Sequence, residues 1–344
     1  MTDAVTTVGT IAPTPGGPVV WSWPDAVRGL VYAVPAAIAT AADPAVGVPL
    51  ALGVLPACLL PLPGPRRARV VIVVVGFLCG ASLFVGGALA HLPTVLTAFA
   101  LVAVVVATAL ASAGRPGGRL LLVLAAPLTA AGLSYDEWST SASAALLLAA
   151  GAAYAWAVSL LWPARPAVTR APAVLPTRRD MLTYGLLLGS GAAVAYLVAA
   201  GAGVDHPGWA PAACLLVARP DAGLLWSRAV GRVVAVLLGA LAAVGVVAAE
   251  LPSPVLAVIA ALVVGTAAAT RGSRWYITSA FTTFVVFVML LQANPEQASQ
   301  KVGERVGETV IGVALAVLFG IGLPALSSRA RRRELHVTER SAAR

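Results

Sequence analysis

Two arginines in the second half of the chain lie in a long apolar stretch, where charged side chains are uncommon. Arg228 and Arg232 are four residues apart, so on a helix they share one face, with Arg232 one turn deeper. A guanidinium can hold a carboxylate through two parallel hydrogen bonds. The pair is therefore a candidate anion site, although a long arginine near a helix end also reaches lipid headgroups without binding any ligand.

A second charged group, Glu304, Arg305 and Glu308, begins the last apolar stretch. On a helix Glu304 and Glu308 share one face, and Arg305 precedes Glu308 by three residues. Glu308 is then a candidate proton carrier, and Arg305 and Glu308 are both candidates for lining a substrate path. The structural alternative is an ion pair between Arg305 and Glu308 that fastens this helix to its neighbours.

Hydroxyl side chains recur at a helical spacing with aromatic residues beside them. They are Thr278, Ser279, Thr282 and Thr283, and Tyr276 is one of the neighbouring rings. Such a face can hydrogen-bond and stack an aromatic acid, which makes these five residues candidates for lining a substrate path. Serine and threonine can equally donate to the carbonyl four residues earlier in their own helix.

Asp205 and His206 stand in a short polar stretch just before Trp209. A histidine beside a carboxylate can respond to pH near neutrality. The alternative is a solvated loop, with Trp209 placed at the membrane surface as interfacial tryptophans are.

The composition indicates what kind of element carries these residues. Of 344 residues, 59% are apolar and 11% are charged, and the mean hydropathy is +0.91. Soluble proteins are about one quarter charged, which argues against a soluble enzyme or a nucleic-acid binder. About 20 apolar residues cross a bilayer as a helix, so the sequence predicts an all-α polytopic membrane protein with the lipid bilayer as its main partner.

The apolar stretches number twelve and are separated by short polar connectors. Those at 119–134 and 207–218 are short for a membrane crossing. The twelve stretches are 25–41, 45–62, 67–90, 93–112, 119–134, 140–162, 181–202, 207–218, 223–249, 253–270, 275–292 and 301–323.

The connectors alternate in charge along the chain. With the N-terminus inside, every second connector is basic, and the arginines fall at 66–69, 115–119, 165–179, 219–228 and 271–274 and in the C-terminal tail. The intervening connectors are mainly acidic, with Lys301 and Arg305 as the basic exceptions. Because cytoplasmic loops collect arginine and lysine, we expect a multi-pass protein of the plasma membrane with both termini in the cytoplasm. The same rule accounts for the net charge of +9.

The two halves of the chain also resemble each other. A shift of residues 44–108 by 159 positions, without a gap, aligns Pro61 with Pro220, Gly64 with Gly223, Arg69 with Arg228, Gly80 with Gly239 and Gly86 with Gly245. An even number of crossings in each half keeps the halves in the same orientation. The pattern predicts about twelve transmembrane helices as two parallel six-helix repeats, related by an axis along the membrane normal.

These observations divide the chain into five parts. A disordered cytoplasmic tail, 1–22, precedes a first repeat, 23–164. A cytoplasmic linker, 165–180, leads to a second repeat, 181–326, and an Arg-rich cytoplasmic tail, 327–344, ends the chain.

The sequence carries no pattern typical of catalysis or of a cofactor. It has no phosphate-binding loop of the Walker type, and its three histidines and three cysteines show neither catalytic nor metal-ligand spacing. Small residues four apart, such as Gly76 and Gly80 or Gly185 and Gly189, predict close helix packing. We therefore expect no enzyme activity, no cofactor and no metal.

The second half resembles the integral-membrane transporter domain of the FUSC superfamily, the fusaric-acid-resistance and aromatic-acid-exporter group. The likeness covers about 180–325 and is weak over 25–163. The residues that carry it are His206, Pro207, Trp209, Pro220, Asp221, Arg228, Arg232, Arg305, Glu308, Thr309 and Gly312.

The resemblance implies export of small, often aromatic, organic anions. The expectation is therefore a transporter driven by the proton or charge gradient, with a small organic anion as substrate. A passive organic-anion channel and a non-transporting membrane scaffold remain as alternatives, and homo-oligomerisation remains open.

Overall fold

The computed structural model describes residues 19–115, 118, 120–164, 176–218, 222–293 and 298–325, and within these ranges the regular elements are helices. The helices are α1 Trp23–Ala42, α2 Pro44–Leu59, α3 Val71–Ala90, α4 Thr94–Ser112, α5 Ala126–Gly132, α6 Trp138–Ser159, α7 Arg178–Gly201, α8 Trp209–Val217, α9 Ala222–Ala248, α10 Ser253–Ala269, α11 Trp275–Ala293 and α12 Ala298–Val317. A 3₁₀ turn, Arg66–Val70, precedes α3, and π-helical turns precede α5 at Leu121–Ala125 and follow α12 at Leu318–Gly322.

Each apolar stretch of the sequence overlaps one of these helices, so the all-α prediction is confirmed. Six helices of the described residues are long and apolar enough to cross a membrane: Arg66–Ala90, Thr94–Ser112, Trp138–Ser159, Arg178–Gly201, Leu224–Ala248 and Gln300–Ala325. Shorter apolar helices lie at Val46–Leu59, Leu121–Gly132, Ser253–Ala269 and Tyr276–Val288. The protein is a polytopic helical membrane protein.

Several predicted features lie outside the described residues. They are Pro220 and Asp221 of the Pro-Asp turn, Arg119, Arg165, Arg170, Arg219 and Glu296 of the connectors, and most of the two tails and of the linker, at 1–18, 326–344 and 165–175.

Glycine lets the helices approach one another closely, as the spacing of small residues predicts. A Cβ built on Gly239 of α9 would lie 2.6 Å from the carbonyl oxygen of Ala280 in α11. One built on Gly76 of α3 would lie 2.0 Å from the Cβ of Ala152 in α6. In lipid, where apolar surface gains little from burial against another helix, such close packing replaces the hydrophobic driving force.

The helices pack into two apolar cores, each of which combines both halves of the chain. One core is built mainly from α1, α2, α9, α10 and α11. The other is built mainly from α4, α5, α7, α8 and α12. The most extensive contacts between the two halves join α1 to α10 and α4 to α7.

The short helix α8 lies inside the protein rather than against lipid. It has nine residues and is therefore about 14 Å long, less than half of a ~30 Å hydrocarbon layer. Seven of its residues are buried, and it packs against α5, α7 and α12. An incomplete helix is tolerated at membrane depth when protein surrounds it, because its backbone ends then have partners other than lipid.

Hydrogen bonds join connectors that the charge alternation places on the same side. At one end of the helices, Asp25 pairs with Arg271 at 2.9 Å and the amide of Ser22 donates to the carbonyl of Ala269. At the opposite end, the amide of Gly208 donates to Ser134 Oγ at 3.1 Å.

Arg69 links the connector between α2 and α3 to the end of α6. It was expected in a basic loop together with Arg66 and Arg67, yet it is 1% exposed. Its guanidinium donates to five carbonyl oxygens, those of Pro63, Gly64, Ser159, Trp162 and Pro163. Arg69 thus links the connector to α6. The last carbonyl groups of a helix have no partner within the helix, and at the end of α6 Arg69 supplies the donors.

We expect Arg69→Gln to lower the free energy of unfolding by roughly 3 kcal/mol, because several buried carbonyls would lose their donor. The measurement is denaturation of the detergent-solubilised protein. Arg66→Gln is the matched control, since Arg66 is exposed and surface substitutions change stability by less than about 0.5 kcal/mol. Equal losses from the two substitutions would contradict the assignment of Arg69.

Candidate anion-binding site

Arg232 lies within α9, far from either end of the helix, and its side chain extends to α11. It follows the first residue of that helix by ten positions, a distance of about 15 Å along the axis. The side chain is 6% exposed, and its Nη1 donates to Ser279 Oγ of α11. The neighbouring Gly231 packs against the ring of Tyr276, so glycine brings α9 close enough to α11 for this hydrogen bond.

Arg305 and Glu308 form a loose ion pair within α12. Nη1 of Arg305 lies 3.8 Å from Oε2 of Glu308, which is longer than a hydrogen bond. Both are buried, at 5% and 3% exposure. Thr309 donates to the carbonyl of Arg305 at 2.8 Å, so its hydroxyl serves the helix backbone and not the ion pair.

Trp209, the first residue of α8, supports the guanidinium of Arg305. The guanidinium carbon lies 3.9 Å from the centre of the indole ring, a favourable cation–π distance. Close packing of α8 and α12 makes the contact possible, because Gly312 of α12 lies directly against the carbonyl of Ala210. A side chain at position 312 would separate the two helices.

Several polar atoms of this cluster have no hydrogen-bond partner among the described residues. The donors are Nε of Arg232, Nε and Nη1 of Arg305 and Nε1 of Trp209, and the acceptor is Oε1 of Glu308. Buried donors without partners are costly, and here they lie on three neighbouring helices. Arg232 and Arg305 are also close enough to repel each other electrostatically. The cluster thus has both the charge and the free donors to hold an anion.

The sequence left two roles open for the hydroxyl residues of α11: lining a substrate path, or donating to carbonyls of their own helix. Different residues make different contacts. Ser279 accepts from Arg232 and so belongs to the cluster. Thr282 donates to the carbonyl of Thr278 at 3.1 Å, the structural alternative. Thr283 is buried against Gly239 of α9.

Arg228 is placed differently from Arg232. It is only partly buried, lies one turn nearer the start of α9, and makes at least one interaction within the protein. Of the predicted candidates, the structure therefore brings Arg232 and Ser279 together across two helices and Arg305 and Glu308 together within one.

Trp209 is the residue of the cluster whose contact the sequence did not predict. It was expected beside a solvated loop at the membrane surface, and its ring lies against the guanidinium of Arg305. Its place in the His-Pro-x-Trp motif was the available signal, but sequence spacing gives no reason to pair the start of α8 with the middle of α12.

The outer charged residues surround the cluster without entering it. Glu304 accepts a hydrogen bond from Gln300 at 2.9 Å. Burial is the main influence on His206 and holds its pKa below the ordinary 6.5, with Asp205 acting in the opposite direction. His206 is therefore neutral at neutral pH. No three His, Cys, Asp or Glu side chains of the described residues are grouped to hold a metal ion.

The comparison with protein families concerns the part of the chain that holds this cluster. Residues 192–319 match the family model described as fusaric acid resistance protein-like. The resemblance to the FUSC superfamily is confirmed. This FUSC-like segment, residues 192–319, contains Trp209, Arg232, Ser279, Arg305 and Glu308. No curated protein and no solved structure matches the chain.

We expect the contact between Trp209 and Arg305 to contribute about 1–2 kcal/mol to stability, as desolvated cation–π pairs do. A double-mutant cycle with Trp209→Leu and Arg305→Gln measures this coupling energy by denaturation. Trp226→Leu replaces Trp209→Leu in the control cycle, because Trp226 is 60% exposed. Additive effects of Trp209→Leu and Arg305→Gln would show that the contact is not formed.

Proposed function

We propose that this protein is a plasma-membrane transporter that moves small organic anions, aromatic acids among them, out of the cell. The observation that carries the proposal is the buried cluster of two guanidiniums and one carboxylate, with several donors that lack partners among the described residues. The match of residues 192–319 to the fusaric acid resistance protein-like family supports a role in membrane transport.

The depth of the cluster supports a role in transport. Arg232 is ten positions into α9 and Glu308 is ten positions into α12, so each lies about 15 Å along its helix. Charged side chains at membrane depth face the protein interior and generally mark the path of a substrate or ion. We infer that the anion passes Arg232, Ser279 and the Arg305–Glu308 pair.

We also propose that the twelve helices form two parallel six-helix repeats, 23–164 and 181–326, with both termini in the cytoplasm. In such a repeat, each helix of the first half corresponds to the helix six places later in the second half. Helix α1 then corresponds to α7, and α4 corresponds to α10. The contact between α1 and α10 is therefore equivalent to the contact between α7 and α4, and both contacts are extensive. The two apolar cores exchange in the same way, since α1, α2, α10 and α11 of one correspond to α7, α8, α4 and α5 of the other. The alternating charge of the connectors supports the placement of the termini.

We expect Arg232→Leu to reduce anion flux by about tenfold to a hundredfold, because a charge-assisted hydrogen bond to the substrate contributes about 1.5–3 kcal/mol. The measurement is efflux of labelled benzoate from proteoliposomes, with and without a pH gradient. Arg274→Leu removes an equal charge from an exposed position and should keep full flux. Arg232→Lys keeps the charge but loses the planar fork of donors, so intermediate flux is expected.

The same experiment separates the alternatives. Undiminished flux in Arg232→Leu would remove this arginine from the path. If the flux through the wild-type protein does not depend on an imposed pH gradient, a passive channel is favoured. If a panel of aromatic acids shows no flux at all, and deletion of residues 328–344 abolishes the protein's role in cells, the scaffold alternative is favoured.

A further inference from the structure

We propose that Glu308 determines the charge of the anion that this site accepts, by limiting the buried cluster to one positive charge in excess. The inference rests on the proposed function and makes it more specific. It predicts that the preferred substrate is a monoanion, and that the preference is a property of one residue.

Three charged side chains are buried together in the cluster. Among the described residues, α9 contributes Arg232 and α12 contributes Arg305 and Glu308, all at most 6% exposed. Trp209 of α8 and Ser279 of α11 are neutral. One carboxylate therefore faces two guanidiniums.

The positive charge in excess belongs to Arg232. Arg305 lies between the ring of Trp209 and the carboxylate of Glu308. Arg232 forms no ion pair among the described residues, and its hydrogen-bond partner is the neutral hydroxyl of Ser279. A buried charge without a counter-ion is strongly unfavourable, and a single bound carboxylate would supply that counter-ion.

Other charged groups lie near Glu308 but are less deeply placed. Glu304, Lys301, Asp205 and His206 lie at the outer end of α12 or in the connector before α8, and each is at least partly exposed. Water and salt screen exposed charges much more than buried ones. Glu304 and Asp205 still act on Glu308, and Arg228, one turn before Arg232, is partly exposed. These groups therefore influence the cluster less than its own buried members do.

A dianion would reverse this balance. Its first carboxylate would neutralise Arg232, and its second would add a buried negative charge close to Glu308. Replacing Glu308 by glutamine removes that conflict, because two guanidiniums would then face two carboxylates. The substitution keeps the size and shape of the side chain.

The test is the affinity of the purified protein for benzoate, a monoanion, and for isophthalate, which adds a second carboxylate to the same ring. Both are measured by calorimetry at about pH 8, where free carboxylates are ionised. We expect wild type to prefer benzoate. Glu308→Gln should shift the ratio of affinities towards isophthalate by on the order of tenfold or more, the size of one unit charge acting over several ångströms at a partly buried site.

Glu304→Gln is the matched control. Glu304 lies one turn earlier on the same face of α12 but is less buried than Glu308 and is bound to Gln300, so this substitution should shift the ratio far less. A second pair of variants tests the same charge balance without altering Glu308. Ser279→Asp places a carboxylate beside Arg232 and should abolish benzoate binding, whereas Ser279→Asn, which has the same size but no charge, should weaken it far less.

Each outcome decides the inference. An unchanged ratio in Glu308→Gln, or benzoate binding that survives in Ser279→Asp, would overturn the role of the charge balance while leaving the proposed function intact. If wild type binds neither acid, the proposed function fails for simple aromatic carboxylates, and the inference fails with it. A ratio that shifts equally in Glu304→Gln would show a general surface effect and would overturn the assignment to Glu308.

Discussion

The function proposed for this protein depends on one buried positive charge, that of Arg232, which has no carboxylate partner among the described residues. In a medium as apolar as the bilayer interior, such a charge destabilises the protein unless something compensates for it. Ser279 supplies only a neutral acceptor, and the guanidinium of Arg305 adds repulsion. A fold that retains this arrangement retains a place for an anion.

Two buried arginines of the first half show what a structural arginine looks like in the same protein. Arg28 pairs with Asp25 at 3.0 Å and donates to the carbonyl of Leu60. Arg69 is surrounded by carbonyl oxygens at the end of α6 and in the connector before α3. Both side chains fasten helix ends. Nε of Arg28 lacks a partner among the described residues, as Nε of Arg232 does, but the carboxylate of Asp25 balances the charge of Arg28. Arg232 differs in having no such carboxylate among the described residues, and on this difference we base the proposal that the anion site lies in the second half.

The sequence predicted the helices well because each lies largely within an apolar run bounded by polar, proline or glycine residues. It also placed Arg232 and Ser279 among the candidates, since charged and hydroxyl side chains stand out in such runs. It could not place Trp209 under Arg305, because that contact depends on how α8 packs against α12 through Gly312. Nor could it predict that Arg69 is buried whereas Arg66 is exposed, because the burial of a connector residue depends on which helix end packs beside that connector. The sequence also could not decide how the α11 hydroxyls are used, because this depends on which helix packs against α11. The partner of Ser279 lies 47 positions away, whereas the partner of Thr282 is in its own helix.

The most direct test of the unpaired charge is a structure determined with 4-bromobenzoate, in which anomalous scattering locates the bromine. The account predicts bromine between α9, α11 and α12, with the carboxylate within hydrogen-bonding distance of Nε of Arg232 while Arg305 stays over Trp209. It would be contradicted if the compound bound elsewhere and Arg232 were paired with a carboxylate of the protein itself.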